Sequence, residues 1–172
     1  MKNVGLDKVE EAKASFSRPG AGGYVAKVTL IDDMPQKEYL WIELDIAEGE
    51  FKDYYTDLYK ARAYWGLNDL KSYKESALPF FKGMITAFEQ SNPGFKFNYD
   101  EQTLKGKLVG IVLGEEEYER NNGEIGTKLK VKQYLSADKI RKGDFKVPPK
   151  KTLNRPAPVL TETTEDLPFE FN

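Results

Sequence analysis

Glu38-Tyr39-Leu40-Trp41-Ile42-Glu43-Leu44-Asp45-Ile46 decides the reading of this chain. Leu40, Ile42, Leu44 and Ile46 alternate with Tyr39, Trp41, Glu43 and Asp45. Alternation with period two places one set on each face of a β-strand. One face is therefore apolar, and the other is aromatic and acidic. Upstream, Tyr24 to Ile31 is also rich in β-formers and ends at the turn Asp32-Asp33-Met34-Pro35, so the two runs predict a hairpin. The breaker cluster Arg18-Pro19-Gly20-Ala21-Gly22-Gly23 precedes it, and the spacing of Val4, Val9, Ala12 and Phe16 predicts a weak helix before that.

Downstream, Phe51 to Tyr55 reads as a short third strand, followed by a short helix capped by Thr56 and stopped at Gly66. Ser76 reads as the N-cap of the main helix. Pro79 is tolerated in its first turn, Phe81, Met84, Ile85 and Phe88 recur at helical spacing, and Asn92-Pro93-Gly94 ends it. The second β half starts near Lys107. Leu108 to Gly114 is apolar, Glu115 to Arg120 extends it, Asn121-Asn122-Gly123 is a hairpin turn, and Thr127 to Leu135 alternates again. After Ser136 the periodicity fades.

Strand, strand, strand, helix, strand, strand is the element order of an OB-fold: a mainly β, five-stranded, partly open barrel with a helix between strands three and four. The expected organisation is an N-terminal segment at 1–22, an OB-like domain at 23–147, and a disordered acidic tail at 148–172 marked by Pro148, Pro149, Pro156 and Pro158.

The chain has 172 residues, with 26 Lys+Arg against 28 Asp+Glu and a formal net charge of −2. Cys and His are both absent, which excludes disulfides, thiolate chemistry and Cys/His zinc sites, and removes the commonest general base. The carboxylates Asp45, Glu48, Glu50, Asp53, Asp57 and Glu115 to Glu117 match no metal-binding spacing and read as solvated loop charges. No enzyme activity and no cofactor are expected. No apolar run is long enough for a membrane helix, and residues 1–10 lack the apolar centre of a signal peptide. A cytoplasmic location is the expectation.

The charge is unevenly spread. Residues 118–155 hold eleven basic residues against four acidic ones, whereas 159–172 hold four acidic residues and no basic one. A basic body with a separate acidic tail points to a polyanion partner. Tyr39 and Trp41 on one strand, Lys128, Lys130, Lys132 and Tyr134 on another, and Lys27 on the first are all expected to face away from the core. Rings beside cations suit single-stranded nucleic acid, because bases stack on the rings while Lys follows the phosphates. The plain alternative is a solubilising Lys face that guards an edge strand. Among the aromatic residues from Phe51 to Trp65, Arg62 and Tyr64 are the expected contacts. The end of the chain sets Leu167, Phe169 and Phe171 among acidic residues, a pattern suited to docking on a partner's apolar pocket rimmed by cations.

The tip Asp166-Leu167-Pro168-Phe169 resembles the acidic, Pro-Phe-containing tip of bacterial single-stranded DNA-binding proteins, extended here by three residues. The body resembles a family of phage and prophage proteins encoded among replication and recombination genes. The resembling stretches are Ile46-Ala47-Glu48-Gly49-Glu50-Phe51-Lys52, Phe81-Lys82-Gly83 with Ser91-Asn92-Pro93-Gly94-Phe95, Leu104-Lys105-Gly106-Lys107-Leu108-Val109-Gly110, Gly114-Glu115-Glu116-Glu117-Tyr118, and Ile140-Arg141-Lys142-Gly143. The resemblance implies single-stranded DNA binding in phage replication or recombination. It also implies recruitment of replication or recombination proteins through Asp166, Leu167, Pro168, Phe169 and Phe171. It carries over no catalytic motif. The alternative is an interaction or inhibitor module that binds a host enzyme without touching DNA. Monomer and homo-oligomer both remain open.

Overall fold

The computed structural model describes residues 17–154. The predicted N-terminal helix and the tip residues Asp166, Leu167, Pro168, Phe169 and Phe171 lie outside the described residues. The chain is mainly β. Strands β1 (Gly22–Met34) and β2 (Tyr39–Ile46) form the predicted hairpin, and helix α1 (Tyr54–Arg62) follows. Next come β3 (Asn68–Ser72), helix α2 (Leu78–Ser91), β4 (Leu108–Glu119), β5 (Ile125–Leu135) and the short helix α3 (Ala137–Arg141). The strands form one antiparallel sheet in the order β3-β2-β1-β4-β5, with α2 between β3 and β4 in the chain. The sheet is not closed into a barrel, since no ladder joins β3 to β5.

The main core lies between the inner face of this sheet and α2. Leu40, Ile42, Leu44 and Ile46 of β2 are all buried there, as the alternation requires. Helix α2 contributes Met84, Ile85, Ala87 and Phe88, one helical stripe, and Phe88 is fully buried. Asn92 ends the helix and fixes it to the sheet. Its side-chain amide donates to the Phe88 and Leu108 carbonyls at 2.8 Å each, and its side-chain oxygen accepts from the Leu108 N–H at 3.1 Å.

A second, smaller core sits on the outer face. Val25 of β1 and Val112 of β4 are covered there by Ala137 and Ile140 of α3, with Phe145 packed beside them. Gly110 makes this possible: a Cβ on it would stand 2.6 Å from the Ile140 side chain and 2.7 Å from the Ser136 carbonyl. Gly23 likewise admits the Phe145 ring, which a Cβ would meet at 2.5 Å. Ser136 caps α3, its side chain accepting from the Lys139 N–H.

Several expectations need correction: Thr56 lies inside α1 instead of capping it, and Ala77, not Ser76, stands at the N-cap of α2. The third strand is Asn68–Ser72, whereas Phe51 to Asp53 form the turn into α1. Helix α1 ends at Arg62, with Ala63 in the left-handed region at φ 56°. Ordered structure also continues past residue 147. The Lys151 N–H donates to the Glu115 carbonyl at 2.9 Å, and the Lys151 carbonyl accepts from the Glu117 N–H at 2.9 Å. Residues 148–153 therefore lie along the part of β4 that runs beyond β1, where the edge would otherwise be unpaired. No helix among the described residues is long and apolar enough to cross a membrane.

Candidate nucleic-acid interface

The outer face of β1, β2 and β3 carries the first group of candidates. The registers align Asp32, Trp41 and Leu70 in one cross-strand row, and Met34, Tyr39 and Ser72 in the next. Trp41 is half-buried, and its indole N–H donates to Glu43 Oε1 at 3.3 Å. Neither Tyr39 nor Trp41 belongs to either core cluster. Beside them Leu70 is 50% exposed and Met34 39% exposed. Trp41 thus stands where the alternation of β2 puts it, within an outward patch of aromatic and aliphatic side chains. Two carboxylates border the ring: Asp32 opposite it on β1, and Glu43 two residues on.

The second group lies on the β4–β5 hairpin. Lys130 faces Gly114 and Lys128 faces Glu116, on the side opposite Leu129 and Val131, which pack on the main core. Lys132 pairs with Glu116, whose carboxyl this amine holds below its ordinary value. The Lys128 amine sits over the Tyr118 ring at 5.3 Å. Neither Lys128 nor Lys130 forms an ion pair among the described residues. Lys150, from the segment along β4, reaches Glu117 at 3.5 Å. The same arm carries Glu115, Glu116, Glu117, Glu119 and Glu124, so its lysines stand among carboxylates.

Tyr134 does not belong to this face. It is buried at 8% exposure, its ring 6.3 Å from Phe88 and its hydroxyl bonded to Asp69 at 2.9 Å. A β-bulge is the cause. Leu113 pairs with Val131 and Val112 with Gln133, so Lys132 is the extra residue and the parity of β5 flips after it. Position 134 then points inward. A similar irregularity at Thr29 in β1 lets Val28 and Ile31 share the core face.

Lys27 faces outward but is engaged: its amine bonds Asp53 Oδ1 at 2.7 Å, which lowers the Asp53 pKa and ties β1 to the start of α1. Arg62, the last residue of α1, and Tyr64, just past it, are both exposed, with the guanidinium 3.5 Å from the phenol oxygen. The neighbouring rings are structural. Trp65 donates to the Leu44 and Leu67 carbonyls at 3.0 and 2.9 Å, and Phe51, Tyr54 and Tyr55 pack on the main core.

The two candidate groups do not form one continuous strip. Lys128 to Lys132 sit beside residues 114–116 of β4, past the Gly22 end of β1, whereas Trp41 faces Asp32 near the other end of β1. The core under α3 covers the outer face between them.

The expectation of a solvated charge at Asp45 is corrected by the structure. Asp45 is fully buried and accepts from the N–H groups of Ile46, Tyr55 and Thr56 at 2.8, 3.0 and 3.1 Å and from the Thr56 hydroxyl. It caps α1 from β2, as an N-cap side chain would. Among the described residues no group of three or more carboxylates is placed to hold a metal ion.

Sequence reasoning missed Leu70, Met34, the segment along β4 and the exposed Tyr99. Ser136 ahead of Ala137-Asp138-Lys139-Ile140 is an N-cap signal from which α3 was readable. No protein-family model matches the chain, and no curated protein matches it.

Proposed function

We propose that this chain is a non-enzymatic single-stranded DNA-binding protein of phage replication or recombination, with an OB-type fold. It coats exposed strands without strong sequence preference and recruits replication or recombination proteins through Asp166, Leu167, Pro168, Phe169 and Phe171. The observation that carries the reading is Trp41, a large ring on the outer face of β2 that serves neither core. A π-face on an open strand surface stacks any base. The strand and helix order agrees with an OB-fold whose sheet stays open between β3 and β5. The Lys-bearing hairpin supplies cations at the position of the fourth-to-fifth-strand loop, which such folds use for ligands.

A second reading, an interaction module that touches no DNA, is favoured by Asp32 and Glu43. Two carboxylates beside Trp41 disfavour phosphates and suit a cationic peptide. Binding of labelled oligo-dT and of a matching duplex, each across a salt series, separates the two. Tighter binding of the single strand supports DNA coating; no binding at low salt leaves the interaction module.

A further inference from the structure

The turn between α2 and β4 presents Tyr99 in an unusual way. Its side chain is 93% exposed, and its φ of 65° lies in the left-handed region, where a bulky L-residue is strained. The flanks hold this geometry in place. The Phe97 N–H donates to Glu89 Oε1 at 3.1 Å, and the Asp100 carboxylate accepts from the Gln102 N–H at 3.0 Å. The Gln102 side-chain amide donates to the Ile31 carbonyl at 2.8 Å. Phe97, packed on the main core, places its ring 5.8 Å from that of Tyr99. Apart from that one ring contact, Tyr99 is a strained residue kept in position with its ring in solvent. Outliers of this kind cluster where a ligand is held.

The position of the turn gives it meaning. The ladder between β1 and β4 covers only Gly22 to Lys27, so beyond Lys27 that edge of β1 is taken by the turn. Gln102 grips Ile31, and the next residue, Asp32, is the one that faces Trp41. The row Leu70, Trp41, Asp32 therefore leads across the strands to the segment that carries Tyr99.

We propose that Tyr99 is a second stacking ring for single-stranded DNA, on a path that crosses β1 from the Trp41 face to the turn between α2 and β4. This rests on the DNA-binding reading above. The bound base would cover the exposed ring, and sequence tolerance would follow because every base offers a π-face.

The test uses the full chain and oligo-dT in which single thymidines are replaced by 5-iododeoxyuridine. Light should crosslink the oligonucleotide to Tyr99, identified by mass spectrometry of the peptides. Tyr99→Gly should weaken oligo-dT binding by about 5- to 150-fold, the affinity equivalent of one stacked base. Its melting temperature should stay at or above that of the parent, because glycine adopts this φ without strain. Tyr99→Phe should keep the affinity. Phe80→Ala removes another ring, 71% exposed, from α2 and should change nothing. The inference is overturned if Tyr99→Gly binds as the parent does while Trp41→Ala is weakened, or if Phe80→Ala loses as much as Tyr99→Gly. If the parent itself fails to bind oligo-dT at low salt, the DNA reading falls, and this inference with it.

Discussion

The Tyr134 hydroxyl donates to Asp69 Oδ2 at 2.9 Å, linking β5 to β3 across the one gap in the strand order that no ladder bridges. Lys71, the next inward-facing residue of β3, holds its amine over the same Tyr134 ring at 5.1 Å. The two edge strands are thus joined by side chains where a closed barrel would use backbone bonds. This polar seam explains why β3 looks so little like a strand in sequence: its inward residues are Asp69 and Lys71.

The two partners of that bond are not equivalent. Tyr134 is buried, while Asp69 is only half-buried. Asp69→Ala strands a buried hydroxyl and should cost about 1 to 3 kcal/mol, whereas Tyr134→Phe should cost about 1 kcal/mol. Urea denaturation of both variants measures the order. A Tyr134→Phe loss larger than that of Asp69→Ala would contradict it.

Burial pushes the Tyr134 and Tyr55 phenols above their ordinary value of 10.0, and the hydrogen bond to Asp33 raises Tyr73 to about 12. In the unfolded chain these phenols ionise near pH 10. The folded state keeps its protons longer, so stability from these groups is full below about pH 10 and falls as pH rises beyond it. Denaturation midpoints measured between neutral pH and about pH 11 should drop only in the upper range, together with the appearance of tyrosinate absorbance. A flat profile there would show that the phenols are not held.

Asp45→Ala removes the acceptor shared by three backbone N–H groups and the Thr56 hydroxyl. The loss should be at least about 2 kcal/mol, with fraying of α1 seen in hydrogen exchange at Tyr55 and Thr56. Asp45→Asn keeps one oxygen and should lose less. Equal stability of Asp45→Ala and the parent would mean that α1 needs no cap from β2.

Replacing Lys128 and Lys130 together by Gln should lower the slope of log affinity against log salt by about 0.7 for each single-strand phosphate no longer neutralised. Stability should hardly change, because neither amine has an ion-pair partner among the described residues. An unaltered slope would remove the hairpin from the DNA path.

Much of the framework was legible because strong alternation survives folding. Leu40, Ile42, Leu44 and Ile46 all reach the core, and the turn at Asn121-Asn122-Gly123 joins β4 to β5 as expected. The failures have local causes. The bulge at Lys132 reverses the parity on which the outward placement of Tyr134 depended. Leu70, the apolar residue of β3, points outward, so that strand has no apolar face to detect. Asp45 sits at an outward position of β2 yet is sealed by α1, a tertiary contact that no spacing in the strand encodes. At the candidate site, Tyr39 and Trp41 came directly from alternation. The separation of Trp41 from the Lys hairpin depends instead on the register of β1 with its two neighbours and on a five-residue helix.

Titration of oligo-dT against the parent chain and Trp41→Ala, with melting temperatures measured alongside, tests the DNA-binding claim most directly. Trp41 lies outside both cores, so its removal should leave the melting temperature within a few degrees of the parent. It should weaken single-strand binding by about 1 to 3 kcal/mol without changing the salt slope. Undiminished affinity for oligo-dT, or a large fall in melting temperature with binding lost only through unfolding, would contradict the assignment of this ring to a DNA-binding face.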